Sequence, residues 1–267
     1  MTKSLFSAAD IFLHNQTAWD RMARERGDWS QPVSAEIIQA ARAGDWQVQL
    51  TPAEMPSGWL PDVRGKRILC LAASGGQQAP VLAAAGADVV VLDASREQLN
   101  LDEWVAQQDN LTLQTLLGDM RDLSAFADDS FDVIFHPISN LYVPDLHRVW
   151  SECFRVLHRG GRLLSSFYNP VVFVFERNET LAAEGLLKPR FVLPYADITD
   201  LNADELAKKQ EANQALVFGH SLADQINGQL QAGFLMAGFN EVFHPRPRFL
   251  IERYMPTFMA TYAMKPM

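Results

Sequence analysis

The sequence has few cysteines and contains no long apolar run. It has only two cysteines in 267 residues, Cys70 and Cys153. Each lies in an apolar segment, so we expect buried free thiols rather than a disulfide framework or a paired-cysteine metal site. No apolar run approaches the ~18 residues of a membrane span, and no small-residue cleavage site follows the short apolar stretch near the start. We therefore predict a protein of the reducing cytoplasm, without a signal peptide or membrane anchor.

Excess positive charge is also absent. The chain carries 23 Lys and Arg against 32 Asp and Glu, which gives a formal net charge of −9. Because affinity for nucleic acids comes largely from neutralising phosphates, we expect no nucleic-acid partner, and we expect no membrane partner. The histidines show neither H-x-x-x-H nor H-E-x-x-H spacing, which predicts no metal site. The length and the 48% hydrophobic content predict one large domain with a packed core.

From residue 66 onward, short apolar segments alternate with helical patterns. The strand candidates read RILCLA, DVVVLD, LTLQTLLGD, FDVIFHP and GRLLSSFYN. Strands that are apolar on both faces are typical of a parallel sheet covered by helices, and the alternation predicts a doubly wound α/β fold. Two final candidates, GFNEVFH and MPTFMATYAMK, complete a predicted Rossmann-like sheet of seven strands, mostly parallel, with the last strand antiparallel.

The rest of the chain is predicted to surround this sheet within a single domain. Residues 1–60 predict an N-terminal helical cap and linker, and residues 61–169 the first half of the sheet with its ligand site. Residues 170–220 interrupt the alternation and predict an insertion over the strand ends. Residues 221–267 predict the last helix and strands. In that helix an apolar face is expected from the spacing by four of Leu222, Ile226, Leu230 and Phe234.

Two glycines follow the first predicted strand, in the stretch RILCLAASGGQQ. Small residues at such a junction let the backbone approach a ligand, and the helix N-terminus offers free N–H groups. The stretch matches neither G-x-x-x-x-G-K-[ST] nor G-x-G-x-x-G, so no nucleotide pyrophosphate is required. Asp93 ends the second strand, 18 residues after Gly75, where a carboxylate accepts hydrogen bonds from ribose hydroxyls. We therefore predict a ligand that contains a ribose.

Five motifs in order resemble those of class I S-adenosylmethionine-dependent methyltransferases, over roughly residues 60–267. They are L-A-A-S-G-G-Q, V-V-V-L-D-A-S-x-x-Q-L, G-D-M-R-D-L, D-D-S-F-D-V-I-F and F-R-V-L-H-R-G-G-R-L-L. The first departs from the family pattern, because Leu71 or Ala72 stands where the family often has Glu or Asp. The segments H-N-Q-x-A-W-D, H-P-I-S-N and H-S-L-A-D-Q-I-x-G-Q are similar to a widespread bacterial subgroup whose substrate is not settled.

This resemblance implies S-adenosylmethionine as cofactor and S-adenosylhomocysteine as product. It implies that the glycine loop lies along the methionine and ribose, that Asp93 binds the ribose hydroxyls, and that Asp119 and the backbone N–H of Met120 bind the adenine. A sulfonium near an aromatic face is favourable, so Trp19 is expected to pack against the methionine end of the cofactor. The neighbouring His14 and Asn15 are weaker candidates for contact with the cofactor. The expected cofactor-binding residues are Trp19, Ala73, Ser74, Gly75, Gly76, Gln77, Asp93, Ala94, Ser95, Leu99, Asp119, Met120, His136 and Pro137.

The acceptor side is predicted from residue types alone. His136 and His220 are hypothesised catalytic bases, which are needed only if the acceptor is protonated at neutral pH. A substrate pocket is predicted from Tyr142, Tyr168, Tyr195, Asp224 and Gln225. Each of these residues also has an ordinary structural interpretation, as a histidine bonded to a carbonyl, a core tyrosine or part of a helix cap.

The motifs favour methyl transfer to a small molecule. H-P-I-S stands where methyltransferases acting on adenine-type amines carry D-P-P-Y or N-P-P-Y, and residues 170–220 are long enough to roof a pocket. Three alternatives stay open: a nicotinamide-dependent reductase, an enzyme that moves another group of the same cofactor, and a sensor that binds it without turnover. The sequence leaves the acceptor atom open, and the choice between a monomer and a homodimer.

Overall fold

A seven-stranded sheet forms the centre of the protein in the computed structural model, which describes residues 6–267. Residues 1–5, the start of the predicted cap, lie outside the described residues. The strands are β1 Arg67–Leu71, β2 Asp88–Asp93, β3 Leu113–Leu117, β4 Phe131–His136, β5 Leu157–Tyr168, β6 Tyr195–Ala196, β7 Phe218–Gly219, β8 Leu235–Val242 and β9 Phe258–Met264. The short strands β6 and β7 form a separate antiparallel pair.

The order of strands in the large sheet is β3-β2-β1-β4-β5-β9-β8. The pairs from β3 to β5 are all parallel, whereas β9 is antiparallel to both of its neighbours. This confirms the predicted Rossmann-like sheet with an antiparallel last strand. The order reverses between β1 and β4, and ligands of open α/β sheets bind outside the carboxyl ends of the strands at such a reversal.

Helices cover both faces of the sheet. They are α1 Ala8–Arg24, α2 Ala35–Arg42, α3 Gln78–Ala84, α4 Arg96–Asp109, α5 Leu146–Val156, α6 Glu179–Ala183, α7 Asp197–Asp200, α8 Ala203–Glu211 and α9 Gly228–Ala232. One core cluster joins α2, α3, α4 and the linker to the sheet, and a second joins α5 to the opposite face. Both cysteines are buried free thiols within these clusters, as predicted. No helix in residues 6–267 is long and apolar enough to cross a membrane.

Helix α5 shows how the sequence specifies one of these faces. Asp145 caps the helix by accepting a hydrogen bond from the His147 N–H, and side chains spaced by three and four then bury one stripe. Val149, Trp150 and Cys153 are fully buried there. Truncation of Trp150 to alanine is expected to cost ~3–5 kcal/mol of stability, because it would leave a cavity in the second core cluster.

The N-terminal helix α1 is fixed over the carboxyl ends of the strands. A capping box between Ser7 and Asp10 starts the helix. Further along it, the Asp20 carboxylate accepts hydrogen bonds from the Ser95 hydroxyl (2.6 Å) and the Glu97 N–H (3.2 Å) at the start of α4. The predicted helical cap is therefore tied by hydrogen bonds to the turn that follows β2.

The segment after the insertion does not form the single apolar helix face that its sequence predicted. Residues Ala223–Asn227 form a π-helical turn before α9, and the extra residue rotates the helix relative to a spacing by four. Leu222 and Leu230 are therefore exposed, at 42% and 44%. Polar or small residues face the core instead, namely Gln225, Gly228 and Gln229. The expected apolar face is wrong for these two leucines, because hydrophobic spacing cannot reveal a π-turn.

The face that points inward is polar but hydrogen-bonded. Gln225 pairs its amide with that of Asn140, and Gln229 bonds the Thr261 hydroxyl. Gly228 lies against the Trp150 ring, where a Cβ atom would come within 2.7 Å of it. These partners offset the cost of burying amides in the core.

Candidate active site

A cleft lies at the carboxyl ends of the central strands and encloses about 1280 Å³, counting its open mouth. It runs from the end of β2 to the end of β5, which are three strand spacings or about 14 Å apart. Its walls are Ile11, Phe12, Asn15, Trp19, Trp29, Gln49, Leu50, Thr51, Pro52, Ala72, Ser74, Gln78, Leu92, Asp93, Ala94, Gln98, Asp119, Met120, Arg121, Pro137, Ile138, Ser139, Tyr142, Val143, Pro144 and Tyr168. We call the part near Asp93 the β2 end and the part near Tyr168 the β5 end.

The glycine loop after β1 adopts a constrained backbone. Ala72 and Ser74 have φ values of 49° and 70°, which non-glycine residues adopt only where the surroundings hold them. The N–H of Gly75 donates to Gln98 Oε1 and that of Gly76 to Asp102 Oδ1, each at 2.8 Å. Helix α4 therefore holds the loop, while Ala72 and Ser74 line the cleft.

Gln98 and Asp102 were not predicted as site residues. They are one helical turn apart on α4, and both side chains are almost completely buried. Burial raises the pKa of Asp102 well above its usual range. The only sequence signal was the spacing of two polar residues by four on the helix that follows the glycine loop. An exposed helix face gives the same pattern, so the sequence alone does not distinguish a buried polar pair that holds a loop from a pair that faces solvent.

Asp93 lines the cleft where β2 ends. Its Oδ1 accepts a hydrogen bond from the Ser95 N–H at 2.8 Å. Burial raises the pKa of this carboxyl to about 7, and the charge of nearby Asp20 adds to the effect. The carboxylate lies at the sheet edge where a ribose would be bound in this fold.

The turn after β3 forms a second wall of the β2 end. Asp119 and Met120 line the cleft together with Arg121. The Arg121 guanidinium donates to both oxygens of Asp119, so a ligand amino group would share that carboxylate with an arginine. The Met120 side chain is 8% exposed and packs into the second core cluster.

Six of the predicted cofactor-binding residues near the loop do not line the cleft. Gln77 turns away, since its amide donates to the Asp28 and Gln31 carbonyls of the cap. Ser95 caps α4 by accepting from the Gln98 N–H. Three more are Ala73 and Leu99, which are buried in the first core cluster, and Gly75, whose N–H is bonded to Gln98. Gly76 also lies behind the cleft, because its N–H is bonded to Asp102.

Both histidines predicted as bases lie outside the cleft walls. His136 is fully buried, and its Nδ1 donates to the Leu71 carbonyl at 2.8 Å, which leaves Nε2 buried without a partner. Burial lowers the pKa of His136 to about 4, so the ring is neutral at physiological pH. His220 Nε2 lies 2.9 Å from the Val143 carbonyl, and burial lowers its pKa too. Pro137, next to His136, does line the cleft.

Aromatic side chains dominate the β5 end. Tyr142 and Tyr168 line it, and the Trp19 ring packs edge-on against Tyr142 with centroids 5.1 Å apart. Asn15 of α1 holds this wall, because its amide donates to the carbonyls of Tyr142 and Leu216. Trp19 and Asn15 were predicted from the sequence, and both line the cleft. His14 instead bonds the Gln214 carbonyl in an exposed position.

Three predicted acceptor residues lie elsewhere. Tyr195 stacks on Phe173 and donates its hydroxyl hydrogen bond to Asp197. Asp224 accepts from the Ser221 hydroxyl in the turn before α9. Gln225 is buried against Asn140, as described above. None of the three lines the cleft.

The linker before β1 contributes a wall that the sequence did not reveal. Leu50, Thr51 and Pro52 line the cleft. The Ser166 hydroxyl of β5 bonds the Leu50 carbonyl, and Gln78 Oε1 accepts from the Gln49 N–H. A proline-rich linker has no periodicity, so only its tertiary contacts reveal this role. No group of three or more His, Cys, Asp or Glu side chains that could hold a metal occurs in residues 6–267.

Comparisons with known proteins agree with this geometry. The sequence model of a family described as "Methyltransferase domain" matches residues 69–165. The chain is 47% identical to the uncharacterized methyltransferase YbaJ of Bacillus subtilis, over 96% of this chain and 98% of that protein. It is 34% identical to a demethylmenaquinone methyltransferase of Clavibacter sepedonicus, over 51% of this chain and 53% of that protein.

The fold also matches a solved structure. An S-adenosylmethionine-dependent methyltransferase from Mesorhizobium loti superposes with a TM-score of 0.60 at 22% identity, covering 77% of this chain and 94% of that chain. At that identity the match supports the fold alone. The family is shown by the Bacillus subtilis relative, which matches over nearly the full length of both chains. The chain belongs to the class I S-adenosylmethionine-dependent methyltransferases.

Proposed function

We propose that this methyltransferase transfers the methyl group of S-adenosylmethionine to a small molecule that binds at the β5 end of the cleft. The observation that carries the proposal is one continuous cleft, with a ribose-type carboxylate at one end and an aromatic wall at the other. Methyl transfer requires an in-line approach of the acceptor atom to the methyl group, so two adjoining subsites in a single cleft suit the reaction.

The β2 end fits the adenosine part of the cofactor. Asp93 presents a buried carboxylate for ribose hydroxyls, and Met120 and Leu92 provide apolar surface for the adenine ring. Ala72 and Ser74 bring the loop backbone to the cleft, where the methionine part would lie. When bound there, the cofactor supplies an electrophilic methyl group, and the residues of the chain orient it.

The aromatic contact between Trp19 and Tyr142 suits the side of the β5 end that faces the β2 end. Trp19 comes from the cap and Tyr142 from the turn after β4, and a positive sulfonium is attracted to aromatic faces. The T-shaped contact also fixes the direction of both rings. We assign Trp19 to the boundary between the cofactor and the acceptor.

A small acceptor follows from the walls of the β5 end. Ile11 and Phe12 of the cap, Pro52 of the linker and Ile138 after β4 line the same cleft as Tyr168. This enclosure excludes water from the reacting atoms and leaves room for a molecule of limited size. The name of the Clavibacter relative likewise states a small molecule, demethylmenaquinone, as the compound it methylates.

A base role for His136 or His220 stays a prediction. Either ring would need a movement of its own segment, the end of β4 for His136 or the residues after β7 for His220, to bring a nitrogen into the cleft, because both rings are bonded to backbone carbonyls. An acceptor that is already deprotonated at neutral pH needs no such base.

The test of the small-molecule acceptor uses methyl-labelled S-adenosylmethionine and a bacterial cell extract. The extract is separated by ultrafiltration into small molecules and macromolecules, and the protein is incubated with each fraction. We expect labelled product in the small-molecule fraction only. Label that accumulates in protein or nucleic acid would contradict the proposal, and the Asp93→Ala variant shows how much label is independent of the cleft.

A further inference from the structure

The two ends of the cleft differ in charge. The β2 end carries the carboxylates of Asp93 and Asp119, with Arg121 bonded to the second of them. At the β5 end the cleft walls contain no carboxylate in the described residues, and two guanidinium groups lie close behind them. The acceptor therefore meets a positive field at the end farthest from the ribose carboxylate.

Arg248 is the first of these two groups. Its Nη2 donates to the Tyr168 hydroxyl at 2.6 Å, and its guanidinium lies 5.9 Å from the centre of the Tyr168 ring. The structure shows no ion pair for Arg248 with any residue in 6–267. Glu252, the nearest acid in sequence, instead accepts from the backbone N–H groups of Arg248 and Phe249. The Arg248 side chain does not line the cleft itself, but it is held behind the wall residue Tyr168 by that residue's ring and hydroxyl.

Arg177 of the insertion is the second group. Its guanidinium lies 4.7 Å from the centre of the Phe249 ring, which Arg248 also contacts, at 5.6 Å. The adjacent Glu176 is paired with Lys188, and no ion pair is found for Arg177 among the described residues. The two guanidinium groups therefore share one aromatic ring behind Tyr168, and Arg177 also lines a separate cavity of the insertion.

Both arginines lie close enough to the Tyr142 hydroxyl to influence its pKa. Burial raises the pKa of Tyr142 above its usual range and Tyr168 adds to this rise, whereas the charges of Arg248 and Arg177 act in the opposite direction. Tyr142 lines the cleft, so the positive field extends to the wall that an acceptor would contact.

We propose that the acceptor is a small aromatic molecule carrying a carboxylate, which Arg248 binds with Tyr168 while Arg177 adds to the attraction. This rests on the proposed methyl transfer in the same cleft. A guanidinium presents two parallel N–H donors that match the two oxygens of a carboxylate. The rings of Tyr142, Tyr168 and Trp19 offer faces on which an aromatic acceptor stacks. Arg248 and Tyr168 are thus specificity-determining residues, and the acceptor carboxylate points away from the sulfonium.

The test compares aromatic carboxylates with their uncharged methyl esters. Benzoate, 4-hydroxybenzoate, phenylacetate and cinnamate are titrated by calorimetry into the protein, each beside its ester, with and without saturating S-adenosylhomocysteine. We expect at least one acid to bind about tenfold more tightly than its ester, as one charge-assisted interaction would give. Arg248→Ala should remove that preference, Arg248→Lys should retain part of it, and Tyr168→Phe should weaken it less than Arg248→Ala.

The controls separate this inference from the proposed function. Arg246→Ala removes an exposed arginine of the same loop for which the described residues show no contact with Tyr168 or Phe249, and it should leave the preference unchanged. Binding of S-adenosylhomocysteine tests the cofactor site independently of any acid. Esters that bind as well as their acids, no acid binding at 10 mM (about the weakest affinity that such a titration detects), or a preference that survives in the Arg248→Ala, Arg177→Ala double variant would each overturn the inference.

Discussion

The two ends of the cleft are built in different ways. The β2 end comes from one stretch of chain between β1 and the turn after β3, and hydrogen bonds from α4 fix its glycine loop. The β5 end is assembled from the cap, the linker, the turn after β4, the end of β5 and the loop before β9. Aromatic contacts and long-range hydrogen bonds, such as those of Asn15, hold these distant segments together.

This difference explains why the cofactor is easier to infer than the acceptor. The β2 end uses local geometry that any member of the fold must reproduce to bind the same cofactor. The β5 end can change whenever one of five distant segments changes, without disturbing the sheet. Variants at the β2 end should therefore weaken cofactor binding strongly, whichever acceptor is present. Variants at the β5 end should instead change which acceptor is bound.

The largest expected effect comes from Asp93 at the β2 end. Asp93→Ala should weaken binding of S-adenosylhomocysteine ~100-fold, because two ribose hydroxyls would lose a charged acceptor. Asp88→Asn, at the other end of the same strand, is the matched control, since Asp88 is exposed and paired with Arg67. Calorimetric titration measures both, and an Asp93→Ala affinity within about twofold of the parent protein would contradict the ribose assignment.

Asp102 tests whether hydrogen bonds from α4 hold the β2 end in place. Asp102→Ala leaves the buried Gly76 N–H without its partner, which should lower the free energy of unfolding by ~1–3 kcal/mol and weaken cofactor binding as well. Asp102→Asn retains an acceptor oxygen, so its free energy of unfolding and its affinity for the cofactor should fall less than those of the alanine variant. Urea unfolding followed by circular dichroism measures the stability, and an alanine variant as stable as the asparagine variant would remove this role for Asp102.

The cofactor affinity should also depend on pH. The pKa of Asp93 is raised to about 7 by burial, so the carboxyl is largely protonated at pH 6 and largely ionised at pH 8. Only the ionised form accepts two hydrogen bonds from ribose hydroxyls, so affinity for S-adenosylhomocysteine should rise about tenfold between these values. In Asp93→Asn the dependence should disappear. A flat profile in the parent protein would show that Asp93 is ionised throughout or does not contact the ligand.

Trp19, between the two ends, should give the smallest effect of the four. Trp19→Leu is expected to weaken binding of S-adenosylmethionine about fivefold and that of S-adenosylhomocysteine less, because only the former carries the sulfonium charge. Trp104→Leu replaces an exposed tryptophan on the outer face of α4 and serves as the control. Equal losses for both ligands would assign Trp19 to packing alone.

The sequence predicted the β2 end better than the β5 end for physical reasons. Strand alternation, the glycines and a carboxylate at the end of β2 are local features, and they led to the correct sheet and to Asp93 in the cleft wall. The buried role of Gln98 and Asp102 was missed, because a polar pair on a helix looks the same whether it faces solvent or a loop. Nothing in the sequence marked Arg248, which meets Tyr168 only when the loop before β9 folds back over β5.

The position of Tyr195 shows the same limit. Aromatic residues in an insertion can face a cleft or their own small core, and the sequence has no signal that separates the two. In the structure Tyr195 packs with Phe173 and Phe191, while Tyr142 and Tyr168 face the cleft. The π-turn before α9 likewise replaces an apolar face predicted from spacing with a hydrogen-bonded polar one.

A crystal structure with S-adenosylhomocysteine would show where the cofactor lies relative to both ends of the cleft. We expect the ribose hydroxyls within hydrogen-bond distance of Asp93, the adenine beside Met120, and the sulfur facing Trp19 and Tyr142. A ligand whose ribose lies away from Asp93, or one bound outside the cleft, would contradict the assignment of the β2 end, and with it the proposed acceptor site.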